Sequence, residues 1–271
     1  MATTPTSIDT PVLESPLPAE VLHHLYASML KARLLSRRLR NAKQTVEAVW
    51  SATLQNLEEA DLVVADSANP VLEVLRGADL TAFTGPKLTA RSNGDMPIPE
   101  PKIVFPGADS TAAVAAGLAL AQKKSQAPGI VVAIVSGKIT KGSVWNQVLR
   151  FAGENRLPML FIADWTDFRT SRGHEGKDLS HWPCPTIAVD GRDVIAVYRV
   201  TKEATSAARR GYGPTLIDCI NFLAPGTRGR DTRDPITSFR GYLKRHNAWS
   251  DEWASGLESD LKNELGLAKR R

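Results

Sequence analysis

Leu25, Met29, Ala32, Leu35, Leu39 and Ala42 recur every three or four positions, with arginines and lysines between them. That spacing places them on one face and predicts a helix from Pro18 to about Lys43. A second helix is expected over Thr45 to Leu57. "ADLVVAD" then reads as a short buried strand or extended segment, and "NPVLEVLRG" as a short helix stopped by Gly77. Residues 81–106 hold five prolines and no periodicity. A long irregular stretch of this kind is either functional or disordered.

Order returns at "GADSTAAVAAGLALAQKK", an Ala-rich helix for which Asp109 or Ser110 can serve as N-cap. Four β-branched or apolar runs follow, about 130–135, 158–163, 186–189 and 215–220. Between them lie a helix with Val144, Val148, Phe151 and Ala152 on one face, and another from Asp193 to Arg210. Strands alternating with helices predict a parallel sheet covered on both faces, since the strands are apolar along their whole length. The fold class expected is therefore α/β, a doubly wound parallel sheet with helical N- and C-terminal arms. Residues 1–17, rich in Thr, Ser and Pro, read as a disordered tail. Residues 18–271 read as one domain.

Composition narrows the function classes. The chain has 271 residues, 42% hydrophobic and 23% charged, which is ordinary for a globular protein. Its net charge of +5 sits mostly on the solvated side of the first helix and at the terminal "AKRR". No nucleic-acid-binding motif accompanies it, so nucleic acid is not the expected partner. The longest apolar run, Ile130 to Val135, is too short to cross a bilayer. The N-terminus has no basic region followed by an apolar one, the pattern of a signal peptide. Cys184 and Cys219 make no disulfide framework and have no zinc-like spacing. A reducing, cytoplasmic setting is expected.

"VDGRDVIAVYRVTKEATSAARRGYGPTLID", Val189 to Asp218, resembles the α subunit of the thiamine-diphosphate-dependent 2-oxo-acid dehydrogenases. "LYASMLKARLLSRRL", Glu47-Ala48 with "ADLVVAD", and "FAGENRLPMLFI" extend the resemblance over roughly residues 20–255. The resemblance implies the thiamine-diphosphate-binding fold and oxidative decarboxylation of a 2-oxo acid with acyl transfer to lipoyl groups. It also implies thiamine diphosphate and Mg²⁺ as cofactors. The implied partner is a β-type dehydrogenase subunit; a homo-oligomer is the other assembly considered.

The family holds Mg²⁺ and the diphosphate with Gly-Asp-Gly after one strand and an Asn pair after the next. Here the matching positions are Ser136, Gly137 and Lys138, then Asp164, Trp165 and Thr166. Mg²⁺ requires hard oxygen ligands in a tight octahedron, and neither the aspartate position nor Trp165 supplies one. The family's Gly-His-Ser-type loop corresponds to "PGTRGRD", without histidine. The cofactor is therefore expected to be lost. Trp165 can stack on a bound ring, fill the space of an absent one, or pack at an interface. Lys138 can be a solvated loop lysine or the counter-charge of a diphosphate bound without metal. His174, near Glu175 and Asp178, and His181 are read as surface-loop residues. Three readings stay open: a 2-oxo-acid dehydrogenase α subunit, a non-catalytic assembly or regulatory descendant, and a metal-free phosphate binder.

Overall fold

The computed structural model describes residues 17–39, 47–83, 103–137, 143–165, 182–220 and 234–267. Its centre is a six-stranded sheet: β1 (Leu62–Ala65), β2 (Ile103–Val104), β3 (Val131–Ser136), β4 (Met159–Asp164), β5 (Thr186–Asp190) and β6 (Thr215–Ile220). The strands lie in the order β2-β1-β3-β4-β6-β5. Every pairing is parallel. The expected doubly wound sheet is therefore present. Its four apolar runs form strands because a strand with helices on both sides must be apolar at every position.

Side chains alternate along each strand and so feed two cores. Val132, Ile134, Leu160, Ile162 and Ile217 join α1 (Ala19–Arg38), α2 (Glu47–Leu54), α3 (Pro70–Leu75) and α6 (Val194–Arg209) on one face. The C-terminal helices α7 (Pro235–Arg245) and α8 (Asp251–Glu264) close this side. On the opposite face, Val131, Ala133, Met159 and Phe161 meet α4 (Thr111–Ser125) and α5 (Ser143–Glu154). Leu25, Met29, Ala32 and Leu35 of α1 are buried, as their spacing predicts. Leu17, assigned to the tail by sequence, already packs against the core.

Three local expectations change. In α5 the buried face is Trp145, Leu149 and Ala152, whereas Val144 is 54% and Phe151 41% exposed. The register that buries the tryptophan wins, because the indole removes the larger apolar area from water. Ser110 stands at the N-cap of α4 but makes no side-chain capping bond. A 3₁₀ turn, Ala108–Ser110, leads in, and Thr111 Oγ1 donates to Gly107 O at 2.9 Å. Within the stretch read as irregular, Ile103–Val104 forms the edge strand β2 against β1. Two residues are too few to give a periodic signal.

The foot of the sheet is tied by charge. Asp61, fully buried before β1, takes a forked pair of bonds from Arg209 at the end of α6, at 2.8 and 2.6 Å. It also accepts the N–H of Ile130 at 2.9 Å and of Glu58 at 2.7 Å. Arg76 Nη2 reaches the carbonyls of Glu58 and Asp61 at 2.6 and 2.8 Å. Strands β1 and β3 thus start from one anchored point. No described helix is long and apolar enough to cross a membrane.

Candidate functional site

In open α/β sheets, ligands bind beyond the carboxyl ends of the strands, where the strand order reverses. Here the order reverses beside β1, with α3 packed on one face and α4 on the other. Asp66 follows β1 and Ser136 ends β3. Asp66 Oδ2 accepts the Ser136 N–H at 2.8 Å, and Asp66 Oδ1 accepts from Ser67 Oγ at 3.2 Å. The carboxylate thus closes the gap between the two strand ends. Ser136 lies in register with Asp164 of β4, and Asp164 with Cys219 of β6. The structure therefore brings Ser136, Gly137, Asp164 and Trp165 to one edge. Lys138, Thr166, His174, His181 and the "PGTRGRD" loop lie outside the described residues.

Trp165 is fixed by backbone and side chain together. Its N–H donates to Cys219 O at 2.9 Å, continuing the β4–β6 ladder one residue past the strand. That pairing turns its side chain to the α4 and α5 face, where Phe161 and Ile220 also pack. The indole is buried, and its Nε1 donates to Asp218 Oδ1 at 2.7 Å. Asp218 is itself only 3% exposed. The ring lies against Gly137: a methyl group there would fall inside the envelope of indole atoms Cδ2, Cε2 and Cε3. Gly137 is thus required by the tryptophan, independently of any diphosphate.

Sequence reasoning missed Asp218 and Asp66. Asp218 sits inside the apolar run "TLIDCI", and only the alternation of β6 would have set it beside Trp165. Asp66 was legible as the acidic end of "ADLVVAD" but had no predicted partner. Neither cysteine is a nucleophile candidate. Burial pushes the Cys184 thiol up to about 11 and the Cys219 thiol well above its ordinary value. Both are buried free thiols. A concavity of about 170 Å³ opens at the starts of α6 and α7 beside Arg192, Tyr242 and Arg245. Its two aspartates are engaged with backbone: Asp190 accepts from Arg192 N, and Asp193 from Ile195 N and Ala196 N.

The model of the family described as dehydrogenase E1 component matches residues 93–268. The chain belongs to the dehydrogenase E1 component family. Its sheet is that family's thiamine-diphosphate-binding fold. The 3-methyl-2-oxobutanoate dehydrogenase subunit alpha of Mycobacterium tuberculosis is 29% identical over 177 residues, 56% of this chain and 48% of that protein. The pyruvate dehydrogenase E1 component subunit alpha of Bacillus subtilis is 28% identical over 181 residues, 58% and 48% of the two chains. The 2-oxoisovalerate dehydrogenase subunit alpha of the same organism is 30% identical over 177 residues, 56% and 52%. The matched part thus spans about half the length of these relatives.

The family's cofactor does not fit the described part of this edge. A Mg²⁺ site needs several hard oxygens in a near-octahedral set. Of the four described motif positions, Asp164 alone carries a carboxylate; Ser136 offers a hydroxyl, Gly137 no side chain, and Trp165 an N–H already given to Asp218. The indole covers Gly137. Among the described residues no cluster of three or more His, Cys, Asp or Glu could hold a metal.

Proposed function

We propose that this chain is an α-type subunit of a 2-oxo-acid dehydrogenase E1 component that does not hold Mg²⁺-thiamine diphosphate. It acts as an assembly or regulatory subunit with a β-type partner, in the reducing cytoplasm. The observation that carries this reading is the indole of Trp165 lying on Gly137, hydrogen-bonded to Asp218. A side chain that fills the approach to the strand ends and offers no metal ligand suits a retained scaffold better than a catalytic centre.

The α4 and α5 face supports the partner. Val144 and Phe151 of α5 are exposed, as are Ala113, Gly117 and Ala121 of α4. A Cβ on Gly117 would meet nothing within 4 Å. An apolar face lined by small residues allows close helix approach from another subunit.

Two measurements test the reading. Calorimetry with Mg²⁺ and thiamine diphosphate is expected to show no saturable heat; low-micromolar, Mg²⁺-dependent binding overturns the loss of the cofactor. Size-exclusion chromatography after co-expression with a β-type subunit is expected to show co-elution. A chain that elutes as a monomer beside that subunit overturns the partnership.

A further inference from the structure

We infer that the indole of Trp165 is the resident ligand of a ring-binding site, and that Asp218 is the residue which recognises its N–H. The inference rests on the reading that this edge holds no thiamine diphosphate, and extends it. The edge has a ring-shaped space, which the chain fills from within.

The site has two distinct parts. Its floor is Gly137, whose missing side chain lets a flat ring lie on the backbone at the end of β3. Its polar end is Asp218 Oδ1, 2.7 Å from the indole Nε1 on a residue that is 3% exposed. Trp165 belongs to the same apolar cluster as Ala163 and Ile220. A floor without a side chain, an apolar surround and one buried carboxylate together select a planar heteroaromatic that donates one N–H. A carboxylate at such a position discriminates against a ring of the same shape that lacks the donor, because the buried oxygen then loses a partner.

Removing the side chain from Trp165 leaves the recognition elements in place. Trp165→Gly is therefore expected to bind free indole, which the wild-type chain does not. Cavities opened by deleting a large buried side chain bind small rings of matching shape. The donor adds specificity: indole is expected to bind at least about tenfold more tightly than benzofuran, its isostere without the N–H. That ratio is the smaller end of what a hydrogen bond to a charged group contributes, about 1.5–3 kcal/mol.

The test is a thermal-shift and calorimetric titration of purified wild type, Trp165→Gly and Trp165→Phe with indole and benzofuran. Saturating indole is expected to raise the Tm of Trp165→Gly by about 3 °C or more, and to leave the other two unchanged. Absence of an indole effect on Trp165→Gly overturns the inference, because the space has then collapsed. Equal affinity for indole and benzofuran overturns the role of Asp218. If Trp165→Gly does not fold alone, it is refolded with and without indole. Recovery only with indole supports the site; failure in both overturns it. The result is separate from the fate of the cofactor reading. Wild-type binding of Mg²⁺-thiamine diphosphate would sink that reading, whatever indole does to the variant.

Discussion

Asp61 and Asp218 are buried carboxylates at opposite ends of the same sheet, 0% and 3% exposed. Asp61, at the foot, meets a guanidinium, in a forked pair with Arg209, and two backbone N–H groups. Asp218, at the carboxyl edge, receives a neutral indole N–H from Trp165. The first arrangement joins three chain segments and is fully buried, so it is architecture. The second, among the described residues, joins a strand to a ring at the place where α/β sheets receive ligands. Burial alone does not separate a structural carboxylate from a recognising one; the kind of partner and the end of the sheet do.

The largest effect is expected at the foot. Arg209→Met leaves the Asp61 charge buried without its main partner and should cost about 3–5 kcal/mol in urea unfolding. Adding Asp61→Asn should recover part of that loss, since no uncompensated charge then remains. An additive double mutant would mean the pair is not coupled, and the contrast with Asp218 would fail.

Gly137→Ala comes next, at about 3 kcal/mol, the upper end for overpacking, because the obstructing atoms belong to a rigid buried ring. In a Trp165→Ala background the same change should cost less than about 1 kcal/mol. An undiminished cost would show that the glycine serves the backbone and not the indole. Trp165→Phe keeps a ring but removes the donor to Asp218, and should cost about 1–3 kcal/mol.

The smallest effect concerns α7. Burial pushes the Asp234 carboxyl up, but hydrogen bonds from Arg33 and Thr237 outweigh it and hold it at about 2, below the usual 3.8. A carboxylate with a depressed native value stabilises the fold above its unfolded value. That contribution is lost as pH falls from about 4 towards 2. The Asp234 side chain is 38% exposed, so solvent screening leaves only about 1 kcal/mol. Asp234→Asn should remove that acid-dependent component from urea midpoints measured across this range. An unchanged pH profile would contradict the assignment.

Much of the fold was legible because its signals are local. Continuous runs such as "GIVVAIVS" and "LPMLFIAD" can be satisfied only by a strand covered on both sides. The α5 face was misread because Val144, Val148 and Phe151 also follow a helical period, and only the sheet decides for Trp145 and Leu149. Edge strand β2 was too short to show. At the candidate site the sequence brought Ser136, Gly137, Asp164 and Trp165 into view through resemblance. It concealed Asp218, because a contact between β4 and β6 depends on strand order and register. No spacing along the chain encodes that adjacency.

The all-parallel sheet also sets how this chain must come together in time. No two neighbouring strands can zip from a tight hairpin: Leu62 pairs with Val131, and Thr186 with Leu216. Each rung waits for a crossover to close and a helix to dock, so loop-closure entropy precedes the contacts that offset it. Until then the strands that will form the centre of the molecule are its most adhesive segments. Nascent chains therefore pass through a window in which concentration and temperature decide between sheet and aggregate.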